Sequence, residues 1–162
     1  MKALVVYESF FGNTEQVARA VSDALASLEE VEVRQASEVT PEQLAGVDIL
    51  VVGSPTRAFS PTPGIKKFLS SIPQGGLEGV RVAAFDTRIA LSDIDVPVLP
   101  LLVKVFGYAA KPINDRLVQK GGEQAALPEG FAVEGTEGPL KEGEVEGAVE
   151  WARGIVSDQG AS

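Results

Sequence analysis

Four short runs of apolar, mostly β-branched residues are separated by segments whose apolar residues recur at helical spacing. The runs are Leu4-Val5-Val6, Val31–Val33, Ile49-Leu50-Val51-Val52 and Val80-Arg81-Val82-Ala83-Ala84-Phe85. Near-continuous apolarity in three of them indicates strands buried on both faces, as in a parallel sheet. Between the first two, Val17, Ala18, Val21, Ala24, Leu25 and Leu28 form one helical stripe. Ile65, Phe68, Leu69 and Ile72 form another, with Thr62 placed to cap it and Pro63 at its first position. Val145, Ala148, Val149, Ala152, Ile155 and Val156 form the last, flanked by Trp151. Parallel strands joined by helices need right-handed crossovers, which place helices on both faces of the sheet.

A chain of 162 residues, 44% hydrophobic, has room for about five such strands and one core, so residues 1–162 are expected to form a single domain. Gly130-Phe131-Ala132-Val133-Glu134 reads as the last strand, divided from Gln124-Ala125-Ala126-Leu127 by a turn at Pro128-Glu129-Gly130. From Thr87 to Tyr108 the pattern is least regular, because Pro97 and Pro100 interrupt an apolar run. No stretch approaches the roughly 20 apolar residues of a spanning helix, and residues 1–7 are too short an apolar run for a signal peptide. The expectation is a soluble, cytoplasmic protein, present as a monomer or a weak homodimer.

The chain has neither cysteine nor histidine. Thiolate nucleophiles, iron–sulfur clusters, Ser-His-Asp hydrolysis and histidine metal sites are therefore excluded, and no metal site is expected. Chemistry falls to carboxylates, hydroxyls, amides, Arg, Lys or a bound cofactor. Residues 1–120 carry 14 acidic and 12 basic side chains, whereas residues 121–162 carry 9 acidic ones against Lys141 and Arg153. Such a charge repels nucleic acid and anionic lipid, and it either steers a basic partner or serves only as a solvated helix face.

The first strand runs into Ser9-Phe10-Phe11-Gly12-Asn13-Thr14 and then directly into a helix. A parallel strand ending in such a turn presents unpaired N–H groups and a positive dipole end to an anion. Ser9, Asn13 and Thr14 add side-chain donors, and Gly12 permits close backbone approach. Without Gly-Lys-Ser/Thr or G-x-G-x-x-G the turn fits neither common nucleotide fingerprint, and it is also what an ordinary helix cap at Asn13 or Thr14 would look like. Two more strands end in polar loops, Gly53 to Thr62 and Asp86-Thr87-Arg88. In an open parallel sheet these ends share one edge, so the three loops converge on one crevice.

With these loops in this order, the chain resembles the flavodoxin family of FMN-binding electron carriers, whose sheet order 2-1-3-4-5 is itself a standard example of ligand binding at a switch point. The resemblance implies a flavodoxin-like three-layer α/β sandwich with a five-stranded parallel sheet. It implies that Ser9, Phe10, Phe11, Gly12, Asn13 and Thr14 hold the FMN phosphate. Ser54, Pro55, Thr56, Arg57, Ala58 and Phe59 would flank one side of the isoalloxazine, and Asp86, Thr87 and Arg88 its polar edge. Phe11 stands where many members carry a hydroxyl, and the loop after the fourth strand offers no stacking aromatic. Phe59 either stacks on the ring or packs inward. Arg57 either faces the pyrimidine edge or lies in solvent. Arg88 either does the same or pairs with Asp86 or Asp93.

The resemblance further implies redox partner proteins, a reductase and an acceptor, with basic docking surfaces. A response regulator needs an acidic cluster after strand one and an Asp at the end of strand three, where this chain has Gly53-Ser54. An FMN-dependent NAD(P)H:quinone or nitro-compound reductase is the nearest alternative, with Val96 to Val103 read either as a substrate pocket wall or as a core helix. A flavin-free protein-binding module on the same fold is the third.

Overall fold

In the computed structural model, which describes residues 1–28, 30–56, 60–89, 108–135 and 137–157, the apolar runs become parallel strands of one sheet. β1 (Lys2–Tyr7), β2 (Glu30–Gln35), β3 (Ile49–Pro55) and β4 (Arg81–Ile89) pair in the order β2-β1-β3-β4, and a fifth position beside β4 completes the expected 2-1-3-4-5 arrangement. Alternation sends Leu4, Val6, Leu50, Val52, Val82 and Ala84 to one face, and Val5, Ile49, Val51, Ala83 and Phe85 to the other.

Each face is covered by a pair of helices. α1 (Asn13–Ala24) and α4 (Glu144–Ser157) bring Val17, Val21, Ala148, Ala152 and Ile155 onto the Phe85 side. α2 (Pro63–Ser71) and α3 (Ala110–Gln119) bring Ile65, Phe68, Leu69, Ile113 and Leu117 onto the other. Each large apolar side chain buried in this way contributes about 1.5–3 kcal/mol. α2 starts as the sequence predicts: Thr62 caps it by accepting the Ile65 N–H at 3.4 Å, and Pro63 opens the first turn. α1 is shorter than its stripe. Its last helical residue is Ala24, while Leu25 and Leu28 continue the apolar contact from the following turns.

The fifth position is divided, as the turn at Pro128 indicated, into β5 (Glu123–Gln124) and β6 (Glu129–Val133). Val82 pairs with Gln124 and Phe85 with Glu129, so two residues of β4 lie opposite four of the outer strand. The surplus forms a bulge. It is fastened from α4, where the Trp151 indole Nε1–H donates to the Leu127 carbonyl at 3.0 Å. The Trp151 ring also stands edge-on to Phe85 and Phe131, with centroids 6.0 and 6.2 Å away.

Beyond β6 the chain doubles back as a short hairpin. Val133 and Leu140 pair antiparallel, the Glu134 N–H donates to the Pro139 carbonyl at 2.8 Å, and the Lys141 N–H donates to the Ala132 carbonyl at 2.9 Å. Its tip reaches the start of α1. No described helix is long and apolar enough to cross a membrane.

Candidate functional site

The C-terminal ends of β1, β3 and β4 lie side by side. α1 leaves towards one face of the sheet and α2 towards the other, and this divergence opens a crevice between the loops. Ser9, Phe10, Phe11, Asn13 and Thr14 line it from the first loop. Pro55 and Thr56 line it from the second, and Thr87, Arg88 and Ile89 from the end of β4. Val133 of β6 closes the remaining side. The three loops expected to converge do so. Arg57, Ala58 and Phe59, together with Asp93 and the run from Val96 to Val103, lie outside the described residues.

The first turn is built to leave a helix end open. Gly12 occupies the N-cap position with φ +91°, and no side chain caps α1. The first bond within the helix runs from the Gln16 N–H to the Gly12 carbonyl at 3.0 Å, so the N–H groups of the opening turn have no partner inside α1. Ser9 Oγ accepts the Gly12 N–H at 3.1 Å and retains its own proton for donation. Neither Asn13 nor Thr14 acts as the cap. The Asn13 amide donates instead to the Glu137 carbonyl at 3.1 Å, and the buried Thr14 hydroxyl shares a 2.8 Å hydrogen bond with that of Thr87. The Thr14–Thr87 bond ties the first loop to β4.

Three of the described expected site residues do not line the crevice: Gly12, which sets the turn, and Ser54 and Asp86. Ser54 and Asp86 are paired in register across β3 and β4 and point to the α2/α3 face, where both are fully buried. Ser54 Oγ accepts the Thr62 N–H at 3.1 Å and donates to the Pro55 carbonyl at 2.9 Å. Replacing Ser54 by Ala therefore leaves the buried Thr62 N–H without its acceptor. A loss of about 1–3 kcal/mol in urea unfolding is expected, with unchanged affinity for a ligand in the crevice.

Asp86 anchors the other half of the site. Its carboxylate accepts Arg88 Nε and Nη2, both at 2.6 Å, and the Ala110 N–H at 2.9 Å. Burial pushes the Asp86 carboxyl above the ordinary carboxylate range, and the Arg88 bonds, the Arg88 charge and the Ala110 N–H pull it back. Of the two roles open to Arg88, the pairing with Asp86 is the one observed. The guanidinium also lies 3.6 Å from the centre of the Tyr108 ring while 25% of its side chain remains exposed. It is a fixed, ion-paired guanidinium in the crevice wall.

Sequence reasoning missed Ile89, Val133, Tyr108 and the hairpin tip. Val133 stood in a recognised strand, but nothing local showed that the strand would close the crevice. Tyr108 lay at the end of the least regular stretch, where no pattern placed it.

A flavodoxin-domain family model matches residues 4–97. A flavodoxin of Aquifex aeolicus (strain VF5) is 34% identical over 91 residues, covering 53% of this chain and 49% of that protein. The match thus spans about half the length of that curated relative. Oxidised flavodoxin 2 of Bacillus cereus superposes with a TM-score of 0.76 at 22% identity, over 98% of this chain and 99% of that one. Oxidised flavodoxin 1 of the same organism gives 0.75 at 16%, over 97% and 98%. At these identities the two structures establish the fold, and the family model covers more than half of the sequence: the chain belongs to the flavodoxin family.

Proposed function

We propose that this chain is an electron carrier that holds FMN in the crevice and exchanges electrons with redox partner proteins. The observation that carries this reading is the uncapped N-terminus of α1 at the mouth of a crevice with aromatic and hydroxyl walls. These groups fit the cofactor: N–H donors and Ser9 in the first loop for a phosphate, and Pro55 and Thr56 in the second beside a flat ring. When bound, FMN supplies the redox chemistry, and the protein supplies binding, orientation and electrostatics. The N–H groups at the start of α1 and the Ser9 hydroxyl hold the phosphate. Phe10 and Phe11, half-exposed at the rim, belong to the same loop as these donors and line the crevice beside them. Arg88 is held in place by Asp86 and Tyr108, so its guanidinium is a fixed part of the crevice wall, its charge largely offset by the Asp86 carboxylate, and it is not free to follow a ligand. No Cys or His is present to add a redox or neutral-pH proton group of its own.

Titrating the apo-protein with FMN tests the reading directly. Quenching of flavin fluorescence to a stoichiometric end point is expected, and no change would reduce the chain to a protein-binding module. Steady-state NAD(P)H oxidation with a quinone or a nitro compound addresses the enzyme alternative. A carrier gives almost no turnover until a reductase is added.

The acidic character of the last third of the chain is divided between the two ends of the sheet. Glu129 pairs with Phe85 in the half of β4 nearest the crevice, and Glu134 and Glu137 belong to the hairpin that touches Asn13. Glu123 pairs with Arg81 at the far end. The near group supports docking of a basic partner beside the cofactor. Electron transfer to a basic acceptor protein should slow as the Debye length falls from about 30 Å at 0.01 M salt to about 8 Å at 0.15 M. Transfer to a small neutral quinone should hardly change. Stopped-flow rates across a salt series check this, and equal salt dependence for the two acceptors removes the steering.

A further inference from the structure

The amide of Asn13 poses a problem for an anion site. The short Asn side chain can hydrogen-bond to nearby backbone N–H groups of its own segment. Had Asn13 done so, it would occupy the donors that an anion needs. Instead its Nδ2 donates across to the Glu137 carbonyl at 3.1 Å, at the tip of the 132–141 hairpin. Gly138 makes room for it. A Cβ built on Gly138 would come within 2.6 Å of Asn13 Nδ2 and 2.8 Å of its Cγ, so a side chain at 138 forces the amide to shift. Gly138 also has φ +100°, a conformation that most side chains resist. The hairpin is held by its own ladder, with Glu134 bonded to Pro139, Lys141 to Ala132 and Gly138 to Gly135. The described arms of the hairpin are thus joined by bonds of their own, independent of Asn13.

We infer that the 132–141 hairpin is a positioning element of the anion site: through the Glu137 carbonyl and the space above Gly138 it holds the Asn13 amide away from the N-terminus of its own helix, which keeps the first-turn N–H groups free for a phosphate. The inference rests on the proposed FMN reading and adds a fourth segment to the three loops. Glu137 and Gly138 act through Asn13 and need not touch the ligand.

The test compares FMN with riboflavin, which lacks the phosphate. Gly138→Asn is the main variant, because Asn tolerates positive φ better than most residues and its side chain still displaces Asn13. Gly138→Ala is the second. Each is expected to weaken FMN binding about tenfold, with riboflavin binding changed less than twofold. Adding Asn13→Ala to either variant removes the displaced amide, and recovery of at least threefold in FMN affinity is expected. A general loosening of the fold gives no such recovery. As a readout independent of flavin, inorganic phosphate should raise the melting temperature of the wild-type apo-protein more than that of Gly138→Asn. Equal losses for FMN and riboflavin, or a double variant no tighter than the single one, overturns the inference while leaving FMN binding intact. A wild-type protein that binds no FMN overturns the functional reading and this inference with it.

Discussion

Replacing Arg88 by Met is expected to destabilise the fold by about 3–5 kcal/mol at pH 8, the usual cost of leaving one member of a buried ion pair uncompensated. The loss should shrink as the pH is lowered towards 5. Asp86 is fully buried, and three favourable contacts oppose the upward push of burial on its carboxyl: two bonds from Arg88 and one from the Ala110 N–H. Removing Arg88 leaves only the last, so the folded-state pKa climbs further while the unfolded value stays near 3.9. A carboxyl raised in the folded state costs nothing below its unfolded pKa, where it is protonated in both states, and its penalty grows as pH rises through the folded value. Urea unfolding of Arg88→Met at the two pH values measures the difference. The double variant Asp86→Asn, Arg88→Met should show a flat profile, and an equal loss at both pH values in the single variant would exclude Asp86 as its source. Some loss persists at low pH, because the stack on Tyr108 is gone as well.

Gly12→Val is expected to weaken FMN binding by about 10- to 100-fold. The sequence alone points to crowding, with a Cβ blocking the approach of the phosphate. The structure adds a second reason: no protein atom lies within 4 Å of a Cβ at this position, but the backbone there holds φ +91°. A β-branched residue there costs about 1–3 kcal/mol of backbone strain. The loop relieves it by leaving the conformation that aims the donors, and each 1.4 kcal/mol lost is tenfold in affinity. Gly12→Asn separates the two explanations. Asn is about as bulky as Val but accepts positive φ, so its affinity should stay within a few-fold of the wild type. Isothermal titration of the three proteins with FMN decides between them: equal losses for Val and Asn indicate crowding, and a loss for Val alone indicates backbone strain.

The layered fold was legible because the strands are buried on both faces and the helices carry single stripes. Runs such as Ile49 to Val52 and the Thr62-Pro63 start therefore have one consistent reading. That same two-sided burial hid the fate of the strand ends. Val82, Ala83, Ala84 and Phe85 are all apolar, so the pattern gives no parity, and without parity Asp86 and Thr87 cannot be assigned to a face. In the fold the alternation sends Asp86 to α3 and Thr87 to Thr14. Ser54 is misplaced for the same reason. The role of Asn13 was illegible for another: its partner carbonyl lies 124 positions away in sequence and belongs to the main chain, which leaves no signature in residue types.

The bulge fastened by Trp151 bears on how the molecule behaves at high concentration. A long, straight outer strand offers a row of free N–H and C=O groups on which a neighbouring molecule can build, and growth of that kind leads to aggregation. Among the described residues, this side of the sheet presents two paired residues, an irregular step and then five more, the last of them covered by the hairpin arm at Leu140. Pro128 within the step has no N–H to offer. The indole bond to Leu127 holds the step in place, so an incoming strand in regular register would lose its pairing partway along. Trp151 thus guards the sheet against templated growth, a protective task separate from its packing against Phe85 and Phe131.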